Sequence, residues 1–240
     1  FQPFIVGQRI IGPAMARRFG VKLVMYGENQ AEYGNNPDEN YIPTMDYKFF
    51  STKNPLEMKL GGSSIRQIID KTNFKLNDFA PYIPPAASDL EKAGVEVHYL
   101  GYYLPWDPQE CYYYAVENTG FEANPERTPG TYSKYSSIDD KIDMFHYYTT
   151  YIKFGIGRAT YDASQEVRNE KITREEAVHL VKKYDHEFPS KYFNTFLDYI
   201  DISEDEFFET VDRFRSPHLW IKNGDDWFLR HNSSLTGLED

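Results

Sequence analysis

The sequence predicts an α/β fold, a partial parallel sheet followed by a mainly helical region, and three observations predict it. Two short apolar runs, Val21–Tyr26 and Val95–Leu104, have the length and composition of strands. A helical segment stands before each, and the order helix–strand–helix–strand is that of parallel layering. From Asp107 onward the character turns helical. Residues 1–106 therefore read as a partial α/β, nucleotide-binding-like domain, and 107–240 as a mainly helical C-terminal region.

The elements follow in order. Arg9–Phe19 reads as a helix beside the sheet, ended by Gly20. Val21–Tyr26 reads as a buried strand that stops at Gly27. Residues 35–60, rich in Asn, Pro, Asp and Lys and without periodicity, read as a long loop or insertion of the kind that serves as a lid. Ser63–Lys71 is a short helix. The Gly61–Gly62–Ser63–Ser64 stretch before it looks like a phosphate loop but follows no buried strand, so it reads as an ordinary helix cap. Ser88 and Glu91 have capping-box spacing for a helix closed by Gly94, and Val95–Leu104 is the second strand.

In the C-terminal region, Pro108–Asn118 is a tyrosine-rich helix. Ser136 and Ser137 are placed to cap a helix ending near Phe154, with Ile138, Ile142, Phe145, Thr149 and Ile152 on one stripe. Thr173 with Glu176 is a capping box; Ala177, Leu180, Val181 and Tyr184 form the face to be buried. Lys191–Ile200 and Ser203–Arg215 follow, the latter capped by Ser203 with Glu206.

Composition narrows the function classes. The 240 residues carry 26 Lys and Arg against 37 Asp and Glu, a formal net charge of −11. That argues against a nucleic acid as partner, since a phosphate backbone calls for a basic surface, and leaves room for a local basic pocket. Cys111 is the single cysteine, so neither an intrachain disulfide nor a cysteine-based zinc site can form, and the usage fits a reducing cytoplasm. No apolar run is long enough to span a bilayer. The start, FQPFIVGQ, has no signal-peptide pattern and reads as the middle of a domain, so an upstream part is expected. The histidines 98, 146, 179, 186, 218 and 231 are scattered without metal-ligand spacing and read as structural or exposed. With 20 Tyr, 17 Phe and 3 Trp, the chain is rich in rings that suit sugars and bases as well as core packing.

Four stretches carry residues suited to chemistry. Gly27, Glu28, Asn29 and Glu32 follow the first strand, where open α/β sheets bind ligands; carboxylates there can hold Mg²⁺ beside a nucleotide phosphate. A polar turn explains the same residues equally well. Lys134, Ser136 and Ser137 stand before a predicted helix start suited to an anion, with Asp139 and Asp143 on one face and Asp140 close by. A well-capped helix with an acidic first turn is the simpler account. Gly155, Gly157 and Arg158 offer close backbone approach and a bidentate fork for phosphate, while Arg158, Asp162 and Glu166 equally suit a surface ion-pair ladder. In GYYLPWDPQE, Tyr103, Trp106 and Asp107 join aromatic rings to a carboxylate, a way to hold sugars or bases, or else close the sheet edge.

The segments IVGQRIIGPAMARRFGVKLVMYGENQAEYG, LGYYLPWDPQE, YYAVENTGFEANPERTPGTYSKYSSIDDKIDMFHYYTTYIKFGIGRATYDASQEVRN and FRSPHLW are long, ordered and together span nearly the whole chain. In these the chain resembles the C-terminal part of the N-acetyl sugar amidotransferases, PP-loop ATP pyrophosphatase-type enzymes of bacterial surface-polysaccharide, including lipopolysaccharide, and nonulosonic-acid biosynthesis. The resemblance implies the C-terminal part of a Rossmann-like parallel sheet of the PP-loop, adenine nucleotide hydrolase-like type. It implies an ATP- and Mg²⁺-dependent amidation in which a sugar's acetamido group becomes an acetamidino group. The substrate would be a nucleotide-activated or acidic sugar, with ammonia supplied by a glutaminase partner. Under it Gly27, Glu28, Asn29 and Glu32 face the nucleotide, and Glu32 and Asp139 the metal. Lys134 and Arg158 neutralise phosphate charge, and Tyr103, Trp106 and Asp107 line the sugar pocket. The family's SGGxDS pyrophosphate loop does not occur in the 240 residues, so the chain alone is expected to be inactive. Two other readings stay open: a different PP-loop amidation or thiolation enzyme, and a non-enzymatic sugar-nucleotide-binding or subunit-docking module.

Overall fold

A computed structural model of the chain describes residues 2–27 and 41–231. The chain divides into two compact units, Phe1–Trp106 and Asp107–Asp240.

The first unit opens with α1 (Gln2–Phe19) and β1 (Leu23–Tyr26). A two-residue hairpin, β2 (Lys59–Leu60) and β3 (Ser63–Ser64), leads into α2 (Ile65–Lys71). Then come α3 (Ala87–Ala93), β4 (Glu96–Tyr99) and the single turn α4 (Leu100–Tyr103). β1 and β4 pair in parallel, from Leu23 opposite Glu96 to Tyr26 opposite Tyr99. The expected parallel α/β layering is present as this small sheet.

Successive strand side chains point to opposite faces. Val97 and Tyr99 are buried, with Val24 and Tyr26 packed against the same cluster of Ala16, Met45, Phe50, Leu90 and Val95. α1 lies close over β1 because Gly12 has no side chain; a Cβ there would stand 3.0 Å from Val24 Cγ1. The Tyr26 hydroxyl donates to the Arg9 carbonyl at 2.8 Å. The other face corrects the expectation of a buried strand. Leu23 and Met25 are 51% and 42% exposed, so β1 has one covered face among the described residues.

Of the loop expected at 35–60, residues 35–40 lie outside the described residues, and residues 43–50 are irregular but bonded to the sheet. Met45 N–H donates to the Val97 carbonyl at 2.8 Å, and Tyr99 N–H to the Pro43 carbonyl at 3.0 Å. Thr44 bridges His98 in the antiparallel sense. Met45 and Phe50 are core residues, so this segment is a third, irregular row of the sheet. The second strand is shorter than the apolar run predicted. It ends at Tyr99, and Leu104 N–H closes the α4 turn on the Leu100 carbonyl. Ser64 and Gln67 form a reciprocal capping box, as expected of an ordinary cap. Ser88 is no cap: Ala86 stands at the N-cap of α3 without a side-chain bond, and Gly94 closes the helix as expected.

The second unit is mainly helical. It contains α5 (Pro108–Thr119), α6 (Asp143–Phe154), α7 (Arg158–Arg168), α8 (Arg174–Tyr184), α9 (Phe193–Ile200) and α10 (Glu204–Arg213). An antiparallel hairpin, β5 (Trp220–Asn223) with β6 (Asp226–Leu229), follows. Met144, Phe145 and Ile152 of α6 bury against Phe193, Leu197, Phe207 and Val211. Phe145 stacks on Phe196 with centroids 4.2 Å apart. The buried Trp220 indole N–H donates to the Ile152 carbonyl at 2.7 Å, tying the hairpin to α6. The caps at Thr173 and Ser203 form as expected. On α8, Ala177 is buried, whereas Leu180, Val181 and Tyr184 are half-buried.

α6 begins at Asp143, not at Ser136 or Ser137. Those serines sit in an irregular loop: the Ser136 carbonyl accepts from Thr128 Oγ1 at 2.6 Å, and Ser137 has φ 54°. Ile138 of the expected stripe is exposed as a result.

Candidate functional site

In the second unit the Gly155–Ile156–Gly157–Arg158 turn joins α6 to α7. Gly157 is the N-cap and offers no side chain. Asp185, just past α8, supplies the missing carboxylate. It accepts from Gly157 N–H at 2.8 Å, Thr160 N–H at 2.9 Å and Thr160 Oγ1 at 2.7 Å. A Cβ at position 157 would lie 2.7 Å from the Asp185 carbonyl, so glycine is required for this close approach. Burial pushes Asp185 up, and these hydrogen bonds offset part of that. The backbone at this glycine turn, read in the sequence as open to close approach, is therefore occupied by the protein's own carboxylate.

Arg158 turns back along α7. Its Nε donates to Asp162 Oδ1 at 3.0 Å, an Nη lies 3.7 Å from Asp143 Oδ2, and the guanidinium sits 4.4 Å from the centre of the Tyr147 ring. Burial works against this charge, but Asp162, Tyr147 and Asp143 outweigh it and hold the guanidinium pKa above its ordinary value. The ladder expected along α7 is thus half-buried rather than a surface feature, with two carboxylates to one guanidinium.

The loop before α6 is bound to this helix. Buried Thr131 donates its hydroxyl to Asp162 Oδ2 at 2.6 Å, and the Gly130 carbonyl accepts from Ala159 N–H at 3.0 Å. Next to Thr131, the Tyr132 hydroxyl is sealed from solvent and makes no hydrogen bond of good geometry. Burial, then the charges of Glu166 and Asp162, push its phenol far up. Tyr135 is pushed up to about 12, first by burial and then by Glu166, Asp162 and Asp107. Its hydroxyl donates to Gln109 Oε1 at 3.1 Å, and its ring stacks on Tyr112 at 4.6 Å. Burial also raises Glu166; the nearby Tyr132 hydroxyl opposes this without closing a hydrogen bond. The arrangement is a layer of neutral phenols and acceptor carboxylates.

The sequence-predicted residues stand as follows. Asp107 caps α5, accepting from Gln109 N–H at 3.0 Å and Glu110 N–H at 3.1 Å, and pairs with Lys171 at 3.3 Å. Lys134 is exposed, its Nζ 3.1 Å from the Pro125 carbonyl; it does not precede a helix and shares no hydrogen bond or ion pair with Arg158. Asp139 is exposed outside any helix, so the i, i+4 face it was expected to share with Asp143 does not exist. Among the described residues no group of three His, Cys, Asp or Glu could hold a metal. Gly27 is exposed and has open space where a Cβ would stand. Glu28, Asn29 and Glu32 lie outside the described residues. Trp106 is exposed at the end of the first unit.

Sequence reasoning missed three features. His98 is not an isolated histidine: its Nδ1 meets the Tyr103 hydroxyl at 2.6 Å and its Nε2 meets Glu96 Oε2 at 3.1 Å. Alternation of Glu96 and His98 along the strand was the available signal. In the first unit, Arg17, Arg18, Lys92 and Asp89 line a shallow hollow of about 630 Å³ together with Ala14, Met15 and Ala93. In the second unit, a hollow of about 310 Å³ is lined by Glu126, Arg127, Pro129, Glu187 and Lys191. Arg127 there makes a fork to Glu187 with contacts of 2.5 and 2.6 Å.

The comparisons with known proteins align with the second unit. No curated protein matches the chain. Residues 129–232 match the family model described as LPS biosynthesis protein WbpG-like, C-terminal domain. The matched segment runs from the loop that carries Thr131 and Tyr132, through α6 to α10, to the β5–β6 hairpin. The resemblance read from the sequence is borne out there: the C-terminal part of this chain is similar to the C-terminal domain of the WbpG-like LPS biosynthesis proteins.

Proposed function

We propose that this chain works in LPS biosynthesis as the C-terminal part of an ATP-dependent amidotransferase that converts a sugar's N-acetyl group to an acetamidino group. The observation that carries this is the match of residues 129–232 to the C-terminal domain of WbpG-like LPS biosynthesis proteins. Lys134, exposed, is a sequence-predicted residue that would meet a sugar nucleotide's phosphate.

ATP and Mg²⁺ enter this proposal through the resemblance alone. The described residues do not make a site for them. No three-ligand metal group occurs among these residues, Arg158 is held by two carboxylates, and Asp185 fills the N-terminus of α7. No step is therefore derived through either. Under the proposal the pyrophosphate loop comes from outside the 240 residues, ammonia comes from a glutaminase, and the setting is the cytoplasm. No described helix is long and apolar enough to cross a membrane.

The test is an assay for AMP release coupled to amidine formation, with ATP, Mg²⁺, ammonium and a panel of nucleotide-activated and acidic N-acetyl sugars. An upstream-extended form should turn over, and the 240-residue chain should not. Full activity in the 240-residue chain, or no amidine from any sugar in the extended form, would overturn the proposal.

A further inference from the structure

In the first unit, three side chains that the sequence reading left apart are hydrogen-bonded in a row. Glu96 and His98 are two residues apart on β4 and so share a face of the sheet. α4 follows at once and brings Tyr103 back over His98, the two rings stacked within 15° at 6.0 Å. Tyr102 packs edge-on against Tyr103 at 5.3 Å and limits its movement. Contacts of 3.1 Å from His98 Nε2 to Glu96 Oε2 and of 2.6 Å from Nδ1 to the Tyr103 hydroxyl close the chain.

With Glu96 ionised and the imidazole neutral, the direction of these bonds follows. An ionised carboxylate only accepts, so Nε2 carries the hydrogen. Nδ1 of the neutral imidazole is then an acceptor, and the Tyr103 hydroxyl donates to it. The His98 side chain is 15% exposed, whereas Tyr103 is 50% exposed. The imidazole is sheltered and the phenol reaches outward. The chain ends at the carboxyl end of a parallel strand, the edge where open α/β sheets bind ligands.

We propose that Glu96, His98 and Tyr103 form a proton relay in which the Tyr103 hydroxyl is the general base that meets the substrate. In the amidation proposed above, on which only the identity of the substrate rests, ammonia forms a C–N bond at the adenylylated amide carbon, the C–O bond breaks as AMP leaves with the former amide oxygen, and the added nitrogen must lose a proton. One N–H bond breaks as a new O–H bond forms at Tyr103. The original Tyr103 O–H breaks as an N–H bond forms at His98 Nδ1. Glu96 stabilises the resulting imidazolium through Nε2–H, and the proton then leaves to water by way of Tyr103. Tyr103 is the catalytic residue; His98 and Glu96 position and charge it.

Two measurements test this. Nitrogen-15 NMR of the imidazole rings in the 240-residue chain, with His98→Gln to assign the signals, should show His98 as the Nε2–H tautomer. Tyr103→Phe should shift its Nδ1 resonance. A Nδ1–H tautomer, or a Nδ1 signal indifferent to Tyr103→Phe, would overturn the relay whatever the reaction. In the form that makes amidine, Tyr103→Phe and His98→Gln should each lower kcat about a hundredfold or more with little change in KM, as loss of a proton-transfer group does. Normal kcat in folded Tyr103→Phe would overturn the relay. A wild type that makes no amidine but shows the predicted tautomer and shift would support the relay while removing amidation as its reaction.

Discussion

Asp185 does for α7 what a serine or aspartate at the N-cap does for most helices, from a position 28 residues further on. Removing it leaves three donors around Gly157 and Thr160 unsatisfied. Asp185→Ala should therefore cost roughly 1–3 kcal/mol in urea unfolding, with Asp185→Asn losing less because it keeps an acceptor oxygen. Arg158→Ala should cost about 3 kcal/mol, since it strands Asp143 and Asp162 in a half-buried setting. Arg158→Lys should recover little, because a lysine cannot reproduce the fork and the ring contact. The pH dependence has a definite sign. Arg127, then the Gly130 N–H, hold Glu187 below its ordinary 4.5 despite burial. On acidification the unfolded chain takes up this proton first, so the contribution is present above pH 4.5 and is lost as pH falls toward the lowered value. Thermal unfolding of Glu187→Gln should show a flatter loss of stability in that acidic window than the wild type. Sequence reasoning found Arg158 and Asp162 as a pair at helical spacing. It could not find Asp185, whose contact with Gly157 depends on how α8 returns to α7.

At the scale of elements, local chemistry was legible in part: the caps expected at Ser88 and at Ser136 or Ser137 do not form, whereas others do. The capping box at Thr173, the cap at Ser203 and the Gly94 helix stop each depend on residues within one turn, and each forms. Apolar runs were less reliable as markers of strand ends and burial. Val95–Leu104 carries strand-forming residues over its whole length, yet only Glu96–Tyr99 finds strand partners. Residues 43–50 look like loop because their pairing with β4 is set by position in the sheet and not by periodicity. The β5–β6 hairpin was legible but overlooked: Gly224–Asp225, the two-residue loop between paired Asn223 and Asp226, is a glycine-first hairpin signal. Packing of α1 on β1 turns on Gly12. Gly12→Leu should destabilise the protein by about 1–3 kcal/mol in urea unfolding, because its side chain would meet Val24 and the Tyr26 hydroxyl at close range. An unchanged midpoint would show that α1 can shift on the sheet at no cost.

At the scale of the whole molecule, the net charge of −11 argues against a polyanion as the main partner. Unit by unit, the chemistry differs: the first carries a Glu–His–Tyr chain at a strand end, and the second carries the Arg158 ion pairs and the LPS-related match. The most direct test is product analysis of the upstream-extended protein supplied with ATP, Mg²⁺, ammonium and N-acetyl sugars, scored for AMP and for replacement of the acetamido oxygen by NH. AMP and the acetamidino sugar should form in equal amounts, and neither should form when ammonium is withheld. AMP release that proceeds without ammonium, or an unmodified sugar in every reaction, would contradict the account.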